Sequence, residues 1–296
     1  MSKCDSNACE DQTLSSLRIA IVGLGLMGGS LGLALREHCK AILACDRDQN
    51  VLKMARKLKI AEKISSNPLD ILPEADVVVL ATPVQSIISL IRDLPKMHPG
   101  SPIILDLGST KEEICRALAS LPSRFDPIGG HPMCGKEKLG LANAEITLFK
   151  GATFAFSPIP RTSLKAIEFA NQLATAIGAK SFWIDPETHD RWVAATSHLP
   201  YILSAALALS TPHDSAPLIG PGFRSVTRLA STSDSMMLDI LKTNRNNIIE
   251  ALRVFKKELS SLERLMQLND FDGLREKLID GTILLKRLLA FGAKEI

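Results

Sequence analysis

Apolar and polar positions follow two regimes along the chain. Through the first part, short apolar runs at 17–22, 41–45, 76–81, 102–106, 125–130, 153–157 and 180–184 read as strands. Between them, 26–35, 50–59, 84–94, a stretch ending at Leu121, and 163–177 carry the three-to-four-residue spacing of helices. Strand–helix alternation of this kind predicts an α/β fold, a doubly wound parallel sheet with helices on both faces. After Asp185 the strand pattern stops. A long Ala- and Leu-rich helix is expected at 188–210, then a linker with Pro212, Pro217, Gly220, Pro221 and Gly222, then helices at 225–229, 235–242, 246–269 and 271–289. The expected organisation is a disordered polar tail at 1–16, a sheet domain at 17–185 and an all-α domain at 186–296. These Leu-rich helices exceed what one small bundle can bury, which predicts a homodimer through the C-terminal helices.

The first strand runs into Gly23-Leu-Gly25-Leu26-Met27-Gly28. Gly23 permits a tight turn, Gly25 lets a pyrophosphate approach the backbone, and Gly28 lets the helix pack against the strand. The helix that Leu26 and Met27 open aims its free N–H groups and positive dipole end at that anion. A second strand follows and ends at Asp46, about twenty residues on, where a carboxylate can bond ribose hydroxyls. The context predicts a Rossmann-type dinucleotide site. Asp46 favours NAD over NADP because it would repel a 2′-phosphate, and the neighbouring Arg47 works against that preference.

The totals narrow the classes. The 296 residues suit two domains. The net charge of +3 is spread out, and scarce aromatics with no basic cluster argue against a nucleic-acid binder. No apolar run is expected to span a membrane, and the polar start is not that of a secretion signal. Six cysteines without metal-ligand spacing suit reduced thiols in the cytoplasm, and no metal is expected. Cys134 is flagged as a candidate reactive thiol.

Ligands of such sheets sit beyond the carboxyl ends of the strands. The glycine turn, Thr82-Pro83, Ser109 and His131 all fall at such ends. Thr82 and Pro83 are candidate cofactor contacts. His131, after Gly129-Gly130 and before Pro132, is the candidate base for an alcohol proton, since hydride abstraction needs one. The alternative is a satisfied structural histidine. Ser109 is expected to bond the substrate hydroxyl or the nicotinamide; it or Thr110 also suits a helix N-cap. Lys111 reads as a solvated helix residue. His189, Val193 and Ser197 recur at four-residue spacing, with Tyr201 four further on, so a polar helix face either covers the crevice or packs an interface. Arg228 is preferred over Arg224 as a bidentate carboxylate grip, against the alternative of a surface ion pair.

Taken in order, Gly-Leu-Gly-Leu-Met-Gly-Gly-Ser30, Asp106-Leu-Gly-Ser109-Thr-Lys111, His131-Pro-Met-Cys-Gly-Lys136-Glu137, His189-Asp190, Ser197-His198-Leu-Pro and Gly222-Phe-Arg-Ser-Val-Thr-Arg228 resemble the prephenate/arogenate dehydrogenases of tyrosine biosynthesis. The resemblance runs from about residue 18 to 265. It implies oxidative decarboxylation of a cyclohexadiene with hydride transfer to NAD. Under it His131 accepts the hydroxyl proton, and Ser109 orients hydroxyl and nicotinamide. Arg228 binds a substrate carboxylate, Ser197, His198 and Tyr201 line the pocket, and Glu137 belongs to a gating network. Tyr201 stands where many relatives carry a second histidine, Lys136 where a small hydroxyl residue is common, Ser225 where an Asp is common, and Leu238 near a usual Trp. Lys136, if it faces the pocket, disfavours the ammonium of arogenate and so favours prephenate. Two other readings are a dehydrogenase of another small hydroxy acid, and a redox sensor that binds a nicotinamide without turnover.

Overall fold

A computed structural model describes residues 13–136 and 138–294, and side chains up to residue 290. The chain divides into two compact units after Pro186.

The first unit holds one eight-stranded sheet. Its elements are β1 (Arg18–Val22), α1 (Leu26–Leu35), β2 (Ala41–Cys45), α2 (Gln49–Leu58), β3 (Lys63–Ser65), β4 (Val77–Leu80), α3 (Val84–Met97), β5 (Ile103–Asp106), α4 (Glu112–Ala119), β6 (Asp126–Pro132), β7 (Thr153–Ser157), α5 (Leu164–Ala176) and β8 (Lys180–Trp183). The strand order is β3-β2-β1-β4-β5-β6-β7-β8, so the winding reverses between β1 and β4. Period-two alternation feeds two cores. Ile19, Ile21, Ile42, Val77, Val79 and Leu105 face one, with α1 and α5; Ala20, Val22, Leu43, Val78, Leu80 and Ile104 face the other, with α3 and α4.

Four sequence expectations change. β3, an edge strand of three residues, is too short to stand out from the loop around it. β7 runs antiparallel to β6, while β7 and β8 are parallel to each other. Among the described residues from 133 to 152 the helical structure is a short 3₁₀ turn at Leu141–Asn143, and no crossover helix there carries the chain back for a parallel return. β6 also extends through His131 and Pro132, because β7 gives those residues partners. At the amino end, Leu14–Ser16 form a 3₁₀ turn, and the Leu14 N–H donates to Gln172 Oε1 at 2.7 Å. That part of the expected tail is packed; residues 1–12 lie outside the described residues.

The second unit comprises α6 (Pro186–Val193), a π-helical segment Ala194–His198, α7 (Leu199–Ser210), α8 (Pro221–Thr227), α9 (Asp234–Thr243), α10 (Arg245–Gln267) and α11 (Phe271–Lys294). Contrary to expectation, the continuous helix Pro186–Ser210 is long and apolar enough to cross a bilayer. Yet it buries His189, Asp190, His198 and Ser204 within the unit. Ser204 Oγ accepts the Ala230 N–H at 2.9 Å, and the Asp190 carbonyl accepts from Asn244 Nδ2 at 2.7 Å. These buried polar groups pack within the unit.

Candidate active site

At the exit of β1 the backbone does what the glycines predict. Gly23 sits at φ +97°, and a Cβ there would lie 2.8 Å from the Ala81 carbonyl oxygen. A Cβ on Gly28 would lie 1.9 Å from the Gly23 carbonyl oxygen, so only glycine lets α1 come this close to the turn. A Cβ on Gly25 would meet nothing within 4 Å, which leaves open space over the start of α1. Gly25 is the N-cap of that helix, and no side chain caps it. The exit of β2 is tied to the same turn. Asp46 Oδ2 accepts the Leu24 N–H at 2.7 Å, and Oδ1 accepts the Asp48 N–H at 2.9 Å. Each carboxylate oxygen has two acceptor positions, so Asp46 shapes the turn and keeps capacity for ribose hydroxyls. Arg47 beside it is exposed.

Thr82 follows β4, and its Cγ2 lies 2.7 Å from where a Gly23 Cβ would stand. Its Oγ1 is buried and has no hydrogen-bond partner among the described residues. A buried unpaired hydroxyl costs free energy, and this one belongs to the residue whose methyl group abuts the glycine turn. Pro83 is the exposed N-cap of α3. The uncapped helix start, the space at Gly25 and the orphan hydroxyl of Thr82 together fit a dinucleotide.

Ser109 and His131 lie at the carboxyl edge of neighbouring strands and are both half-buried. The N-cap of α4 is Lys111, without a side-chain cap bond, so Ser109 lies outside that position. Lys111 itself is fully buried rather than solvated. It forms an ion pair with Asp106, also fully buried, and donates to the Gly130 carbonyl at 2.7 Å. Burial pushes the Asp106 carboxyl above its ordinary range, against the pull of Lys111 and of the Gly108 and Gly130 N–H groups. The sequence reading did not anticipate this buried pair. Cys134 is half-buried, and burial pushes its thiol to about 11, so it stays protonated and the reactive-thiol expectation is withdrawn.

Lys136 pairs with Glu145 Oε2 at 2.6 Å and donates to the Asn143 carbonyl at 3.4 Å. Its charge is thus engaged within the β6–β7 loop, which weakens the expectation that it selects against an ammonium. That loop rests on α1, where Ser30 Oγ accepts the Glu145 N–H at 3.0 Å. Glu137 lies outside the described residues.

In the second unit, Ser197 is exposed, Tyr201 half-buried, and Arg228 exposed just past α8. The expectation that His189 and Ser197 share a face fails: His189 is buried, with Nδ1 2.8 Å from Asp190 Oδ1. The π segment Ala194–His198 fits an extra residue into the turn between them, so four-residue spacing no longer keeps a face. His198 is corrected as well. It is 1% exposed, and its Nδ1 lies 3.2 Å from Asn244 Nδ2, so it serves the core of this unit rather than a pocket wall. Burial depresses its pKa to about 4, with the His189 charge adding to that and Asp190 opposing it.

Residues 31–183 match the family described as prephenate dehydrogenase, nucleotide-binding domain, and residues 185–280 match prephenate dehydrogenase, dimerization domain. The prephenate dehydrogenase of Bacillus subtilis is 32% identical over 268 residues, spanning 86% of this chain and 72% of that protein. Among solved structures, the Aquifex aeolicus prephenate dehydrogenase in complex with hydroxyphenyl propionate and NAD+ aligns with a TM-score of 0.86 at 28% identity, covering 94% of this chain and 100% of that one. The Synechocystis arogenate dehydrogenase aligns with a TM-score of 0.78 at 26% identity, covering 95% and 100%.

Proposed function

The chain belongs to the prephenate dehydrogenase family, and from that premise we propose that it oxidatively decarboxylates prephenate to 4-hydroxyphenylpyruvate with NAD. The observation that carries the reading is local: an uncapped, glycine-lined helix start beside the unpaired Thr82 hydroxyl, on the strand edge that also presents Ser109 and His131. Gly23, Gly25, Leu26, Met27 and Gly28 hold the pyrophosphate, Asp46 the adenosine ribose, and Thr82, Pro83 and Ser109 the nicotinamide side. Bound NAD supplies the acceptor for the hydride that leaves the carbinol carbon. His131 takes the hydroxyl proton as the carbonyl forms, and Ser109 orients that hydroxyl. The new dienone draws in the electrons of the ring carboxylate bond, CO₂ departs and the ring becomes aromatic. Arg228 grips a substrate carboxylate, with Ser197 and Tyr201 beside the substrate.

Arogenate is the second reading, supported by the likeness to the Synechocystis enzyme and by the pairing of Lys136 with Glu145. Side-by-side turnover of prephenate and arogenate with NAD and NADP, followed at 340 nm, tests both. Fastest turnover is expected with prephenate and NAD; none with any pairing would leave a sensor or a different hydroxy-acid enzyme. We also place the protein in the cytoplasm as a homodimer. Cys39, Cys45, Cys115 and Cys134 are free thiols, and Leu278, Ile283, Leu284, Leu285, Leu288 and Leu289 of α11 are exposed on the single chain. Light scattering should return twice the chain mass of 32.1 kDa, and a stable monomer would remove the dimer.

A further inference from the structure

The β5–β6 ladder ends at Leu105 and Ile128. β5 closes at Asp106, while β6 continues to Pro132, held on its far side by β7. Two side chains replace the missing rungs. Asp106 Oδ1 accepts the Gly130 N–H at 3.1 Å, and Lys111 Nζ donates to the Gly130 carbonyl at 2.7 Å while pairing with Asp106. Asp106 Oδ2 also accepts the Gly108 N–H at 2.8 Å, in the turn that leads to Ser109. One carboxylate therefore ties the residue before His131 to the residue before Ser109. Both partners are 0% exposed. Gly129 and Gly130 make room for this. A Cβ on Gly130 would lie 2.7 Å from the Asp106 carbonyl oxygen, and one on Gly129 would lie 3.3 Å from Lys111 Cδ. A buried ion pair is a poor source of stability, because well-packed apolar residues of similar volume are often equal or better. What it supplies in place of stability is a fixed geometry.

The geometry points to Asp106 and Lys111 as positioning residues for proton transfer, bracing the strand end that carries His131 against the turn that carries Ser109. This rests on the reading of His131 as proton acceptor. The test is a cycle of four proteins: the native chain, the apolar double variant Asp106→Leu/Lys111→Met, His131→Asn, and the triple variant, each with prephenate and NAD. The double variant is expected to lose about 10- to 100-fold in kcat, the usual cost of an ångström-scale misplacement, with both KM values within about twofold. In the His131→Asn background the same change should cost less than about threefold, because the brace acts through a base already removed. Native kcat in the double variant, a loss seen in KM, or losses that multiply in the triple variant would each overturn the brace. Native turnover of His131→Asn alone would overturn the proton-acceptor reading and the brace with it. Asp106→Asn, which keeps an acceptor oxygen, guards against misfolding. If circular dichroism shows it and the double variant both unfolded, the pair is a structural tie only and the proposal falls.

Discussion

The two units place their candidate residues by different means. In the sheet unit, strand ends do it. Gly23, Thr82, Ser109 and His131 each follow or close a strand, and the glycines leave room that no other residue would. In the helical unit, helix faces do it, and the helix that carries most of the candidates changes phase at Ala194–His198. There the polar residues His189, Asp190, His198 and Asn244 are buried, whereas Ser197 and Arg228 are exposed. A backbone-defined site survives small changes in side-chain packing. A face-defined site depends on rotation, so one extra residue in a turn moves its members to opposite sides.

That contrast makes the strand-end histidine the most sensitive position. His131→Asn should lower kcat by roughly 10²–10⁴-fold with KM little changed, the usual worth of a positioned base. Steady-state kinetics across pH checks it: the acidic limb of the native profile should vanish in the variant, and its persistence would assign the base elsewhere. The helical unit should respond more mildly. Arg228→Ala should raise KM for substrate by about 10- to 100-fold, the range for a charge-assisted hydrogen bond, and leave kcat within a few fold. An unchanged KM would remove Arg228 from the substrate and leave the helical unit without an established contact.

What could be read in advance follows the same division. The glycine turn was legible because each glycine answers a backbone requirement, visible as φ +97° at Gly23 and as the tight fit at Gly28. Seven of the strands stood out as apolar runs; β3 did not, being three residues at an edge. The direction of β7 was not legible, since period-two alternation is the same for parallel and antiparallel strands. Lys111 was misread because a lysine at a helix start looks solvated, and its carboxylate partner is five residues away across a turn rather than at helical spacing. The π segment was hidden for a related reason: Ala, Thr and Ser residues fit an α-turn as easily as a π-turn, and the shift shows only in the backbone.

The smallest expected effect tests whether the buried network of the helical unit is real. His198 Nδ1 faces the Asn244 amide, a donor, and burial holds its pKa near 4 against an ordinary 6.5. The folded protein therefore keeps His198 neutral where the unfolded chain would protonate it. Between about pH 6.5 and 4 the unfolded state binds more protons, so stability falls as pH falls through that window and is fully present above it. The slope is at most about 1.4 kcal/mol per pH unit for one proton, or about 2 kcal/mol by pH 5. Urea unfolding of the native chain and of His198→Gln at pH 7.5 and pH 5 isolates this contribution, because every other titrating group is common to both. The variant should lose about 2 kcal/mol less on acidification than the native chain. Equal losses would mean that the imidazole is already solvated in the folded state. His198 would then be available to a substrate after all, and the helical unit would present its polar residues as openly as the sheet edge does.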